Sequence, residues 1–213
     1  LVSLRQVCAQ YNSMLIFDEV MTGLRVALNG AQGLYNITPD LTTLGKIIGG
    51  GFPIGAFAGR NDIMGVLDPR DSGFKFPLSG TFSANPVSMT AGKVAMEMFD
   101  RAAVKKINDI TQVAIGQIKD AAAAAGVPVC ITGDGSLFKI HFRDAPPTAY
   151  RESYEDENAR KIINMFIEHL YEKGVIIINS CSCALSTVIT QKEIDVLSEA
   201  ALSGFKHIKP YLK

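Results

Sequence analysis

Apolar positions along the chain fall into two kinds of spacing, and each predicts a different element. Leu1, Leu4, Val7 and Cys8 recur at helical intervals, so the chain is expected to open within an amphipathic helix. Met14-Leu-Ile-Phe17 is a continuous apolar run that ends in Asp18-Glu19. That is the pattern of a buried strand of a parallel sheet delivering polar groups at its C-terminal edge. Asp40 to Gly45 leads through Lys46 into Ile47-Ile48 and the glycines Gly49-Gly50-Gly51, and Ile54 to Gly59 reads as a further strand.

From Pro86 the spacing becomes helical, with Val87, Met89, Ala91, Val94, Ala95, Met98 and Phe99 on repeating turns and Asn85-Pro86 as N-cap and first-turn residue. A second helix is expected over 104–125, stopped by Gly126, then a strand over 127–131, a turn at Gly133-Asp134-Gly135 and an alternating strand over 137–142. The proline-bearing stretch 145–154 reads as a loop, 155–173 as a helix ended by Gly174, and 175–178 and 184–188 as short strands. Thr190 with Glu193 three residues on opens the last helix. The order predicts an α/β part over 1–100 followed by a smaller α+β unit over 101–213.

Composition narrows the function classes. With 47% apolar residues the chain can supply a real core, and 21 basic residues against 21 acidic ones leave no net field to attract nucleic acid or an anionic membrane. No apolar run approaches the roughly 20 residues that cross a bilayer, and no signal core follows the start, so a cytoplasmic or soluble organellar protein is expected. The four cysteines (Cys8, Cys130, Cys181, Cys183) read as reduced thiols, since Cys-Ser-Cys is not a zinc spacing. The histidines His141, His169 and His207 are scattered, and no metal site is expected.

The glycine run beside Lys46 invites a phosphate-binding reading that fails on spacing. A P-loop needs a glycine where Asp40 stands and a serine or threonine where Ile47 stands, and a dinucleotide fingerprint needs a glycine where Ile54 stands. No G-x-S-x-G elbow supports a serine hydrolase either. What remains is a carboxylate at a strand end and a lysine in apolar, glycine-rich surroundings. A lysine attacks an aldehyde only as the neutral amine, and Leu44, Ile47 and Ile48 are expected to desolvate Lys46. Taken singly, a loop lysine is ordinarily solvated and an aspartate at a strand end ordinarily forms a turn; their conjunction suits an aldehyde cofactor whose ring nitrogen pairs with a carboxylate such as Asp18.

Three ordered motifs sharpen that reading: Asp18-Glu-Val-Met-Thr-Gly, then Pro39-Asp-Leu-Thr-Thr-Leu-Gly-Lys46-Ile-Ile-Gly-Gly-Gly, then Gly80-Thr81-Phe-Ser-Ala-Asn-Pro. Together they resemble class-III pyridoxal-phosphate aminotransferases over nearly the whole chain, most of all glutamate-1-semialdehyde aminomutases and β-amino-acid aminotransferases. The resemblance implies the C-terminal part of a fold type I large domain with a parallel-rich sheet, followed by a smaller α+β domain. It implies pyridoxal phosphate as cofactor, Asp18 as partner of the pyridine nitrogen and Val20 as the apolar side chain on one ring face. Lys46 resembles the lysine that forms the aldimine and shuttles the proton, and Gly80 and Thr81 resemble a phosphate contact reaching the cofactor of a neighbouring subunit, hence a homodimer. An amino acid or amine and a keto acid are the implied substrates. Glu19 and Arg25 are equally readable as structural, and Phe52, Phe57 and Phe82 are expected to pack in the core rather than touch ligand.

Two departures from the family follow. Its phosphate-cradling turn at a helix N-terminus lies upstream of the Asp-Glu-Val segment, so the chain is expected to be part of a protein about twice as long, holding half a cofactor site. A cofactor-free interaction or dimerisation module is the contrasting expectation. The segment Asn179-Ser-Cys-Ser-Cys183 carries neither the acidic residue of aminomutase-like relatives nor the arginine of β-amino-acid aminotransferases, so the amino donor does not transfer from either.

Overall fold

A computed structural model describes residues 1–70 and 75–212. The chain divides into two compact units, Leu1–Val104 and Lys105–Lys213. In chain order the first unit holds α1 (Val2–Gln10), β1 (Ile16–Asp18), α2 (Gly30–Tyr35), β2 (Leu41–Gly45), β3 (Gly55–Gly59), α3 (Asn61–Met64) and α4 (Pro86–Met98). The helix α5 (Arg101–Ala125) leads into the second unit, which continues with β4 (Cys130–Asp134), β5 (Leu137–His141), α6 (Glu157–Glu172), β6 (Ser182–Ala184) and α7 (Gln191–Ile208).

In the first unit β1 and β2 pair in parallel, and β3 is antiparallel to β2. Asp18 at the end of β1 and Gly45 at the end of β2 therefore lie on one edge of the sheet, as expected for a parallel pair. The apolar run before Asp18 is not buried on both faces. Leu15 and Phe17 are buried and pack with Ile37, whereas Met14 and Ile16 are 58% and 54% exposed. Alternation along a strand sends neighbouring side chains to opposite faces, and this chain covers one of them. The opening helix forms as its spacing predicts, yet Leu1, Val2, Leu4 and Val7 stay exposed.

The opposite edge of the same sheet is clamped by a charge. Asp40, just before β2, is buried; its carboxylate accepts hydrogen bonds from the Leu15 N–H (2.7 Å), Arg5 Nη1 (2.7 Å) and Arg60 Nη1 (2.8 Å). The three donors precede β1, sit on α1 and follow β3, so one carboxylate ties together every element at that edge.

The second unit is built on an antiparallel sheet in the order β4-β5-β6, with α5, α6 and α7 contributing to one core. Phe166 and Phe205 stack at 4.9 Å, with Phe142 edge-on to Phe166 at 5.2 Å. Gly204 permits this approach of α6 and α7, because a Cβ there would stand 2.9 Å from the Phe166 ring. The predicted ends are observed: Asn85 caps α4 with Pro86 in its first turn, Thr190 and Glu193 form a capping box on α7, and Gly174 follows α6 with φ +80°.

Strand boundaries differ from expectation wherever pairing decides them. Strand β4 runs on through Gly133 and Asp134, and Asp134 pairs with Leu137, so the turn is Gly135-Ser136. Strand β6 starts at Ser182, two residues before the expected 184, because its register with β5 sets Cys183 opposite Phe138. Residues 175–178 keep a strand's alternation, with Val175 and Ile177 against the core and Ile176 and Ile178 exposed, but no strand pairs with them among the described residues. Periodicity reports which face is covered and says nothing about a partner for the backbone. No helix among the described residues is long and apolar enough to cross a membrane.

The Leu15 N–H and the two arginines hold the Asp40 carboxyl well below its ordinary value. A depressed pKa in the folded state means that the stabilisation is fully present above the unfolded value, about 3.9, and fades as pH falls through it toward the folded value. Asp40→Asn is therefore expected to lower the melting temperature at about pH 7, with the gap to the parent protein closing on acidification toward about pH 2. Melting curves across that range check it.

Candidate active site

Alternation at the end of β1 sends Asp18 outward and Glu19 inward. Asp18 Oδ1 accepts the Val20 N–H (3.0 Å) and the Thr43 hydroxyl (3.3 Å), and Thr43 is its register partner on β2. Oδ2 has no hydrogen-bond partner among the described residues. Glu19 is 2% exposed and fully engaged: it accepts the Thr22 hydroxyl (2.7 Å) and the N–H groups of Ala31 (2.8 Å) and Gln32 (2.9 Å) at the start of α2. Gly30, at φ +65°, lies so close that a Cβ would overlap the Glu19 carboxylate. Of the two readings left open for Glu19, these bonds give it the structural one. Arg25 is half-buried, and desolvation lowers its guanidinium pKa.

Strand β2 delivers Lys46 to the same edge as Asp18. Lys46 takes the left-handed backbone region, φ +51°, and begins a 3-10 turn over Lys46–Gly49. A non-glycine residue held there is a strained conformation of the kind that collects at functional sites. Gly45 is buried, and a Cβ on it would meet Val20 Cγ1 at 3.4 Å and the Ile54 carbonyl at 3.6 Å. Val20 thus lies against Gly45, the residue before Lys46, while its N–H bonds Asp18. The glycine run is a packing device: a Cβ at Gly50 would overlap the Ala91 carbonyl, and one at Gly92 the Ile48 carbonyl, so this turn and α4 touch backbone to backbone.

The apolar enclosure expected around Lys46 is not supplied by its neighbours. Lys46 is exposed, and its amine has no hydrogen bond or ion pair among the described residues. Leu44 and Ile48 turn instead into a cavity of about 520 Å³ that they share with Leu24, Ile37 and Met96. A change of direction at Lys46, from strand to left-handed turn, leaves the lysine outside the cavity that Leu44 and Ile48 line.

Gly80 and Thr81 line a different cleft of about 540 Å³, with Pro53, Ile54 and Gly55 opposite, and neither Lys46 nor Asp18 lines it. The structure sets Asp18 and Lys46 at one end of the β1–β2 pair with Val20 beside Gly45, and the cleft of Gly80 and Thr81 is lined by Gly55, the register partner of Gly45. Phe52, Phe57 and Phe82 are 48%, 41% and 83% exposed, so the expected core packing of these rings is corrected: the first unit's small core of Leu15, Phe17 and Ile37 does not include them. In the second unit Cys181 is fully buried, and desolvation pushes its thiol and that of Cys183 up to about 12. All four cysteines are free. Thr43 was not singled out by sequence, since nothing local signals a contact with a residue 25 positions earlier.

Comparison with known proteins gives concordant findings. The family profile described as "Aminotransferase class-III" matches residues 1–206. Glutamate-1-semialdehyde 2,1-aminomutase of Wigglesworthia glossinidia brevipalpis is 36% identical over 98% of this chain and 48% of its own length. Among solved structures, an omega-transaminase from Sphaerobacter thermophilus superposes with a TM-score of 0.93 at 36% identity, over 98% of this chain and 47% of that one. A beta-phenylalanine aminotransferase from Variovorax paradoxus does so with a TM-score of 0.86 at 32% identity, over 95% and 46%. The chain spans about half the length of the curated relatives it matches.

Because Glu19 satisfies two N–H groups at the start of α2, Glu19→Ala is expected to destabilise the first unit by about 1–3 kcal/mol. Gly30→Ala, which both strains the backbone and displaces the same carboxylate, should cost a comparable amount. Denaturant unfolding of the two variants checks this, and a parent-like midpoint for Gly30→Ala would contradict the observed geometry.

Proposed function

The chain belongs to the class-III aminotransferases, and from that premise we propose that it carries the reactive lysine and the ring-nitrogen carboxylate of a pyridoxal-phosphate-dependent enzyme of amino-group transfer. Its fold is that of the C-terminal part of a fold type I transferase large domain followed by a smaller α+β domain. The observation that carries the proposal is chemical: an amine and a carboxylate oxygen, on Lys46 and Asp18, share one sheet edge and neither is spent on another group among the described residues.

The residues present fit the cofactor. Asp18 Oδ2 is available to a protonated ring nitrogen, Val20 offers an apolar surface beside Gly45 for one ring face, and Lys46 Nζ is free to bond the aldehyde carbon. Gly80 and Thr81 offer a backbone N–H and a hydroxyl to a phosphate. The family resemblance gives these two residues to the cofactor of a neighbouring subunit, so a homodimer is part of the proposal. Pyridoxal phosphate, when bound, draws electrons from the substrate's α-carbon into its ring. Lys46 Nζ is the base that takes the α-proton and returns it, and Asp18 keeps the ring nitrogen charged by holding a proton against Oδ2. Val20 keeps water from its face of the site.

Transfer of an amino group between an amino acid or amine and a keto acid is the general form of the reaction, in keeping with the solved structures named as transaminases, while the curated relatives are named as aminomutases. Intramolecular exchange, as an aminomutase performs, would use the same residues.

Borohydride reduction of the full-length protein with pyridoxal phosphate, followed by peptide mapping, is expected to fix a pyridoxyl group on Lys46. Lys46→Ala should lower turnover by at least about 100-fold while cofactor still binds non-covalently, and Asp18→Asn should weaken both binding and turnover. A protein that folds, dimerises and takes up no pyridoxal phosphate would sink the proposal in favour of a cofactor-free dimerisation module. Lys46→Ala with parent activity would remove the role given to the lysine.

A further inference from the structure

We propose that Thr43 is a positioning residue, fixing which oxygen of Asp18 is offered to the ring nitrogen; the inference rests on the assignment of Asp18 proposed above. A lone carboxylate at the end of a strand can swing about its terminal torsion and present either oxygen. Here two donors approach the same atom from different elements. The Val20 N–H reaches Asp18 Oδ1 at 3.0 Å from the strand's own continuation, and the Thr43 hydroxyl reaches it at 3.3 Å from the neighbouring strand.

The backbone makes the second contact a consequence of register. Asp18 and Thr43 are partners in the parallel ladder, and the Glu19 N–H donates to the Thr43 carbonyl at 3.0 Å. Thr43 therefore cannot move without the strand end that carries Asp18. Its neighbour Thr42 points inward and is buried, bonded by the Gln32 side chain, which leaves Thr43 on the face of the site. Two bonds on Oδ1 hold the carboxylate plane and leave Oδ2 free. With the hydroxyl gone, the carboxylate keeps one bond and can pivot about it, so the ring nitrogen meets a mixture of orientations.

Thr43→Val keeps the branched shape that suits a strand and removes the hydroxyl, whereas Thr43→Ser keeps the hydroxyl and removes the methyl. Full-length parent and variants, loaded with pyridoxal phosphate, are titrated with pH while the absorbance of the bound cofactor is followed, and cofactor affinity is measured alongside. Thr43→Val is expected to shift the spectral midpoint by about half a unit or more and to weaken affinity roughly 3- to 10-fold, with Thr43→Ser close to the parent in both. Melting of the cofactor-free proteins reports folding, and neither variant is expected to differ from the parent by more than about 4 °C.

A parent-like midpoint and affinity in Thr43→Val, or a Thr43→Ser that behaves like it, would overturn the proposal. If Asp18→Asn leaves both quantities unmoved, the assignment of Asp18 has failed and the role of Thr43 falls with it. If Asp18→Asn moves them and Thr43→Val does not, only Thr43 is misassigned.

Discussion

Glu19 is drawn into the interior by the same alternation that turns Asp18 out, and its buried carboxylate fixes the geometry of everything around it. A charge at that depth is tolerable only if its lone pairs are filled, and the start of α2 fills them with two backbone N–H groups while Thr22 adds a hydroxyl. The requirement runs backward into sequence: Gly30 must lack a Cβ for the helix start to come close enough. It runs forward into the site, since the residues on either side of an immovable Glu19 are Asp18 and Val20. A surface aspartate at a strand end would ordinarily wander; this one is attached to a residue that cannot.

Lys46 is held by the opposite strategy. Among the described residues no side chain bonds its amine, and its place follows from backbone contacts on both sides. Gly45 lets Val20 lie against the strand, and the Gly49-Gly50 turn meets α4 carbonyl to backbone through Gly92. These close approaches leave the chain no freedom to relax the left-handed conformation at Lys46, so the strain persists because the surroundings over-determine it. The glycine run that resembles a phosphate loop is thus explained without a phosphate.

Much of this was legible in the sequence where the signal is local. Asn85-Pro86, Thr190 with Glu193, and Gly174 mark helix ends because caps act within a few residues, and apolar spacing placed α4 to α7. Asp18 and Lys46 were legible as a pair through motif resemblance. What depends on another segment was not. The alternating residues 175–178 have the pattern of a strand and no partner among the described residues, the turn after β4 moved by register, and the contact of Thr43 with Asp18 exists only because two strands align. Phe52, Phe57 and Phe82 were expected inside on hydrophobicity alone, which does not say whether a core is near enough to receive them.

The exposure of Lys46 ties the fold to the proposed chemistry. An amine that must attack an aldehyde works best out of water, and Leu44 and Ile48, near it in sequence, line a cavity that Lys46 does not. The enclosure that the proposed reaction needs therefore has to come from surfaces this chain does not itself place around the lysine. The same unit exposes Met14, Ile16, Phe52 and Phe57, apolar groups at or near the sheet that carries the site. The placing of Asp18 and Lys46 on one sheet edge follows from the strand register and the close backbone approaches within this unit, with no help from the side chains that flank the lysine.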